Sequence, residues 1–422
     1  NTFQLGFGST GGNPSSNTQY EFEEGASVKT LTVTASANDV TVVFRARNTT
    51  GNESDLSITN VSVKEITDAD FTFTRNTTAT RVNSQGLIES VGVDLPRINY
   101  ENGCGSWLLE PASLNLATYS EDFSQSDWDK RSSVVTGGIL SPDGTTNAYK
   151  LVINNGVDAS ANGAGLKRNF NISANTSHTY SIFVKKAELH NVAVVITGGG
   201  VNQVNYSFDL INGVMIREVF SGFFTNTSYS IKDYGSDWWR VSVSFTVTSA
   251  VTANFYVWNF KNNDYTDDTG DGVSGVYVFG AQVEQNSILT SYIPATIQPQ
   301  SRGQDSATNA GNSDLINSIE GVLYAELSTV LNTDPKRISL SDGGSLNRVE
   351  FGFDTASNSL RVIVKDNNFD VMNTAIAIPN DITDLLKIAI KYESGDTKVF
   401  VNGVQVGSPS TVAFGVIGIM DR

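Results

Sequence analysis

The sequence predicts an all-β protein of tandem antiparallel β-sandwiches, of the jelly-roll type, joined by extended linkers. Three observations carry this. Short runs such as Val40–Ala46, Thr179–Lys185, Val241–Val247 and Phe255–Phe260 place β-branched or aromatic residues at every second position, the period of a half-buried strand. Clusters of Gly, Asn, Asp and Ser separate those runs, and these residues tolerate the dihedrals of tight turns. No amphipathic pattern longer than about two helical turns interrupts them.

Taken in order, the chain divides into five segments. Residues 1–66 read as the C-terminal part of a sandwich whose N-terminal part is missing, with a further strand at Val28–Thr34. The basis is that Leu56–Glu65, within LSITNVSVKEI, aligns with Val276–Gln285, the last strand before the exit at GAQVEQNSILTSYIP. Residues 67–111 lose the alternation, gain Pro96 and Pro111, and read as an extended connecting segment. Its apolar residues, Leu87 to Leu109, suggest packing along a neighbouring chain or domain as extended strands. Residues 112–297 have the length of a complete sandwich of about nine strands. Residues 298–313, rich in Gln, Ser, Asn and Gly, read as a linker. Residues 314–422 carry six strand signals: Leu323–Leu327, Arg337–Leu340, Arg348–Phe353, Leu360–Val364, Lys387–Tyr392 and Lys398–Val401.

In that last segment, Val399–Val406 (VFVNGVQV) turns on Asn402-Gly403, a dipeptide suited to a type I′ hairpin. The order KIAIKY, a short acidic turn, then VFVNG resembles the laminin-G/concanavalin-A-like sandwich over most of residues 320–407. The resemblance implies that fold and a C-terminally incomplete domain. It says little about function, because the same sandwich hosts lectins, hydrolases and spacers.

A second resemblance lies in the middle. Residues 71–91 read FTFTRNTTATRVNSQGLIESV, and residues 95–123 read LPRINYENGCGSWLLEPASLNLATYSEDF. They resemble a segment of bacteriophage structural proteins that runs R-s-T-A-T-r, then P-R-i-d-Y, then L-L-E-P-x-x-T-N-L-x-x-Y-S-E-x-F. The matching residues are Arg75, Thr78, Ala79, Thr80, Arg81, Gly86, Pro96, Arg97, Tyr100, Leu108, Leu109, Glu110, Pro111, Asn115, Leu116, Tyr119, Ser120, Glu121 and Phe123. Ser113-Leu114 departs from the usual pair before the Asn. The exit motif GAQVEQNSILTSYIP is similar to the GAQLEeGsfpTSYIPT that closes the sandwich in those proteins. The resemblance implies a virion appendage (tail fibre, tail spike or head fibre). It further implies a homotrimer contacting other virion proteins, with a carbohydrate-binding-module-like jelly roll and a place on an extracellular particle. A bacterial secreted or surface adhesin of similar modules is the alternative.

Composition narrows the partners. A net charge of −16 and a pI near 4.5 oppose nucleic acid, which is held by Lys and Arg on phosphates, and oppose anionic membrane surfaces. No apolar run reaches the length of a membrane-spanning helix. Cys104 is the sole cysteine, so no intrachain disulfide forms. HExxH, CxxC, P-loop and GxSxG motifs are absent, and no repeat of parallel β-helix length, such as enzymatic spikes carry, is visible. The chain therefore reads as a non-enzyme.

Candidate sites are few. Aromatic faces stack on sugar rings, which makes Trp239, Tyr256 and Trp258 candidates for glycan contact, Trp258 foremost. Trp238 reads as a core residue, because strand neighbours face opposite ways, and the bland reading of all four is a structural strand. The loop Asp264–Gly272 (DYTDDTGDG) offers Asp267, Asp268 and Asp271 to a hard cation such as calcium. It lacks the closing Glu of an EF-hand loop, and a solvated acidic loop is the competing reading. Asp334 and Asp342 are weaker calcium candidates. No cofactor is required. His178, His190 and the eight Asn-x-Ser/Thr sequons read as incidental.

Overall fold

The computed structural model describes residues 2–8, 19–22, 41–47 and 71–420, apart from 102, 160–163, 262–268, 312, 314–315, 330–336, 354–357, 416 and 419. The named elements are all strands. The chain separates into two compact units, residues 1–67 and 68–422. In the first, β1 (Thr2–Gly8), β2 (Gln19–Phe22) and β3 (Thr41–Arg47) form an antiparallel sheet in the order β2-β1-β3. The expected strand at Val28–Thr34 and the repeat at Leu56–Ile66 lie outside the described residues.

The second unit opens with six short strands: β4 (Thr72–Thr74), β5 (Ala79–Val82), β6 (Ile88–Val91), β7 (Arg97–Asn99), β8 (Ser106–Leu108) and β9 (Ser113–Asn115). A sandwich follows, made of β10 (Asp129–Arg131), β11 (Ser133–Ile139), β12 (Ala148–Ile153), β13 (Gly165–Ile172), β14 (Ser177–Lys186), β15 (Asn191–Thr197), β16 (Gln203–Asp209), β17 (Val214–Ser221), β18 (Phe224–Asp233), β19 (Trp238–Val247), β20 (Val251–Phe260) and β21 (Gly275–Glu284). One sheet runs β10-β13-β20-β15-β16-β17 and the other β11-β12-β21-β14-β19-β18. Consecutive strands repeatedly cross between the sheets, as in a jelly roll.

Alternation builds the core between these sheets. Tyr180, Ile182 and Val184 of β14 meet Val241, Val243 and Phe245 of β19 and Phe255 and Val257 of β20, all at most 2% exposed. Close approach sets one glycine. At Gly165 the backbone has φ +113°, and a Cβ would stand 2.3 Å from the Val257 carbonyl oxygen.

After β21 come β22 (Gln300–Arg302) and β23 (Ser306–Thr308). The segments 67–111 and 298–313 differ from the expected connectors. β23 pairs with β4, and β22 pairs with β9, both antiparallel. β5 pairs with β6, and β7 with β8. These strands escape a periodicity reading because each is three or four residues long and buries Arg, Thr and Asn among its inward positions.

The C-terminal segment holds two four-stranded sheets. One is β24 (Glu320–Leu327), β29 (Leu386–Glu393), β30 (Thr397–Val401) and β31 (Val404–Ser410). The other is β25 (Arg337–Ser341), β26 (Arg348–Phe353), β27 (Ser359–Asp366) and β28 (Phe369–Ala377). Their inner faces form a separate core around Phe351, Val362, Ile388 and Val401. Asn402 and Gly403 take φ values of 51° and 82° between β30 and β31, as a type I′ turn needs.

Candidate functional site

The outer face of the β11-β12-β21-β14-β19-β18 sheet carries polar residues where a solvated face is expected: Thr179, Ser181, Arg240, Ser242, Gln282 and Glu284. All are at most 3% exposed. The short strands β4–β9 and the segment 286–305 cover this face, forming a clasp across it. Ile88 and Tyr292 from the clasp pack with Phe183, Trp238 and Phe279 from the sheet.

The clasp is held by a buried ionic network. Asp305 accepts from Arg75 Nη1 at 3.0 Å, from Arg97 Nη2, and from the Glu110 backbone N–H at 2.9 Å. Glu110 Oε2 lies 2.8 Å from Arg97 Nη1 and 3.1 Å from Arg302 Nη1. The Ser291 N–H donates to Glu110 Oε1 at 2.7 Å, and its hydroxyl donates to Oε2 at 2.6 Å. Burial pushes the Glu110 carboxyl up, but the Arg302 and Arg97 guanidiniums and the Ser291 donors outweigh it and hold it below the usual carboxylate range. Arg302 Nη2 also donates to the Pro111 carbonyl at 2.6 Å. Ion pairs of this kind are held by geometry, since desolvation opposes them.

The exit motif and the first motif meet here. Asn115 donates to the carbonyls of Ala281 and Ile293 at 3.1 and 2.8 Å, and its Oδ1 accepts from Ala117 and Val283. Every hydrogen-bonding position of its amide is used. The Ser120 hydroxyl lies 2.8 Å from the Tyr292 hydroxyl and accepts from the Ala295 N–H at 2.8 Å. Arg240 of β19 donates to the Thr290 carbonyl at 2.8 Å and to Ser181 Oγ at 3.1 Å, with its guanidinium 5.0 Å from the Phe183 ring centroid.

Between the clasp and β18–β19 lies a cavity of about 70 Å³. Val82, Ile88 and Leu108 are among its apolar lining residues, and Asn99, Glu101, Glu110, Lys232, Tyr234 and Arg240 among its polar ones. Lys232 and Glu101 pair at 3.2 Å.

The sequence-derived glycan candidates are placed differently. Trp258 is 5% exposed, packed with Tyr256, Phe260, Ile153 and Ala164 on the outer face of the other sheet. A sugar platform needs an open ring face, and Trp258 has none. Tyr256 is 9% exposed, with Lys167 Nζ 5.7 Å from its ring centroid. Trp239 is half-buried; its indole N–H donates to the Leu210 carbonyl at 2.9 Å, and Gly213 lies against its ring. The reason is shared. Periodicity identifies two faces of a strand but not that both sheets carry cover on their outer faces. Trp238, read as core, is 2% exposed, though its place is under the clasp rather than between the sheets.

Asp267 and Asp268 lie outside the described residues, as does Asp334. Asp271 accepts from the backbone N–H groups of Ser274 at 2.7 Å and Val273 at 2.9 Å. The Ser274 N–H leads the causes that hold its carboxyl down at about 2. It caps its own turn. Asp342 does likewise, accepting from the Gly344 N–H and the Asn347 amide, each at 2.8 Å. Among the described residues no three His, Cys, Asp or Glu side chains cluster as a metal site. His178 is buried against Phe245, and burial pushes its pKa down. Cys104 is exposed at the tip of the β7–β8 hairpin.

Sequence reasoning did not identify Asp305 as a partner of Arg75 and Arg97. The signal available was an unpaired set of arginines in an otherwise acidic chain, Arg75, Arg97 and Arg302 each preceding or following a strand-length run.

Neither family models nor curated proteins yield a match to this chain.

Proposed function

We propose that this chain is a structural, host-contacting segment of a bacteriophage virion appendage, of the fibre or spike type, that acts without catalysis. One observation supports the reading most. The two motifs that carry the resemblance lie about 180 residues apart, and their matched residues Arg75, Arg97, Glu110, Asn115, Ser120 and Tyr292 converge on one clasp. They hold a module closed, a task suited to a protein that must persist outside a cell.

The appendage is a homotrimer in this reading. Supporting it, Ile98 and Trp107 stand opposite each other on β7 and β8, both more than a third exposed, and Phe71 rests on Trp107 at 4.7 Å. Further exposed apolar residues, Val93, Leu95 and Leu109, belong to the same segment. Other virion proteins are its neighbours and host-surface glycans its targets. Calcium at the 267–271 loop is an optional ligand; chelation leaves the melting temperature unchanged if that loop is merely acidic.

Light scattering after size exclusion tests the assembly. A mass near three times 45.4 kDa is expected, and Trp107→Asp together with Ile98→Asp reduces it to that of a single chain. A wild-type monomer overturns the trimer and favours the alternative, a bacterial surface adhesin whose sandwiches act singly.

A further inference from the structure

We propose that the cavity between the clasp and β18–β19 is a binding site for a small carboxylate anion. Four guanidiniums, Arg75, Arg97, Arg240 and Arg302, are at most 1% exposed beneath the clasp. Four carboxylates accompany them: Asp305, Glu110, Glu284, and Glu101, which lines the cavity and is taken up by Lys232 at 3.2 Å. Asp305 is shared by Arg75 and Arg97, and Glu110 by Arg97 and Arg302. Glu284 accepts from the hydroxyls of Ser113 and Thr290 and from the Thr290 N–H. Arg240 is left without a carboxylate at ion-pair distance among the described residues. It lines the cavity, and its Nε, like those of Arg97 and Arg302, has no hydrogen-bond partner among the described residues.

Buried charge is ordinarily paired, and an uncompensated one is strongly destabilising. The missing negative charge belongs next to Arg240, and the cavity lies there. Its 70 Å³ corresponds to about five water-sized positions at roughly 10–15 Å³ each, enough for a group of a few heavy atoms. The walls choose among anions. Val82, Ile88 and Leu108 offer apolar surface and Asn99 and Arg240 offer donors, while the two carboxylates in the lining, Glu101 and Glu110, are already paired with Lys232 and with Arg97 and Arg302. A carboxylate with a carbon attached suits such a mixed lining better than sulfate, phosphate or a halide. Lys232, with 41% side-chain exposure, supplies a cation at the rim.

The proposal stands apart from the attachment reading, since a bacterial adhesin with this clasp has the same surplus charge. Two sources share the chemistry: free small carboxylates and the carboxylate of an acidic sugar. The test is thermal melting and isothermal titration at constant ionic strength. Sodium chloride is replaced stepwise by sodium acetate or by sodium glucuronate. A saturating rise in melting temperature with acetate is expected, absent in Arg240→Met and needing several-fold more acetate in Lys232→Ala. Glucuronate matching acetate identifies a sugar-borne carboxylate as the occupant, and acetate alone identifies free ions. Identical melting in chloride and acetate overturns the proposal. So does an acetate response that Lys232→Ala leaves unmoved, a readout that survives even where Arg240→Met does not fold.

Discussion

Removing the Asp305 carboxylate strips two buried guanidiniums at once. In Asp305→Ala, Arg75 loses its only carboxylate and keeps the Thr77 and Gly92 carbonyls, Arg97 keeps Glu110 as its one carboxylate beside the Thr80 carbonyl and the Ser291 hydroxyl, and the Glu110 backbone N–H loses its acceptor. Leaving a buried ion without its partner costs about 3–5 kcal/mol. The clasp and sandwich together span residues 71–308. At about 2.1 cal/mol/K per residue, their unfolding entropy is about 0.5 kcal/mol/K, so melting falls by roughly 6–10 °C. Calorimetry of wild type and variant measures this directly. The triple variant Arg75→Met, Asp305→Leu, Arg97→Met recovers some of the loss, because it removes Asp305 together with both guanidiniums it serves and leaves Glu110 paired with Arg302, and an apolar replacement of buried ion pairs is often neutral. A fall in melting temperature below about 1 °C for Asp305→Ala, or no recovery in the triple variant, refutes the view that this network is dry and cooperative.

Other outcomes follow from neighbouring contacts. Burial, joined by the Asp143 carboxylate and opposed by the Tyr292 hydroxyl, raises the Glu121 pKa; a carboxyl raised on folding weakens the fold as pH climbs above its unfolded value. Glu121→Gln therefore raises the melting temperature at pH 7 to 8, and the gain disappears below roughly pH 4.5, as melts across pH will read. Glu110, held low, behaves oppositely: its stabilisation is present above the unfolded pKa and is lost as acid carries the pH down through its folded value, so Glu110→Gln flattens the acid limb. Trp258→Ala costs about 3–5 kcal/mol in chemical denaturation, whereas a surface sugar platform in its place would leave stability nearly unchanged. Gly165→Ala destabilises by more than about 1 kcal/mol, since the new Cβ meets the Val257 carbonyl at a positive φ.

Much of the fold was legible because it rests on local alternation. The runs Val241–Val247 and Arg348–Phe353 fall within β19 and β26, and Asn402-Gly403 makes the turn between β30 and β31. β28 escaped because FDVMNTAIA mixes Asp, Asn and Thr into its outward positions. The clasp escaped for a deeper reason. Its strands are short, two of its four pairings span some 190 to 230 residues, and its glue is charge rather than hydrophobic period. Arg75 and Arg97 were visible as motif residues, but nothing in their neighbourhood names Asp305. The burial of Tyr256 and Trp258 was illegible on the same ground: a strand pattern shows which side chains share a face but not what covers that face.

The pairing of β4 with β23 also fixes how the chain bears tension. Thr72 lies opposite Thr308 and Thr74 opposite Ser306, so the strand that leads into the sandwich and the strand that leaves it run side by side. A pull on the two flanking segments loads this pair from its open end, where hydrogen bonds break singly and in sequence. Directly behind it the load meets Arg75 and Asp305. The roughly 190 residues looped between β9 and β22 stay off the line of force until that ionic lock yields. The sandwich hangs from the thread like a bead on a closed ring and stays folded while the thread is stretched.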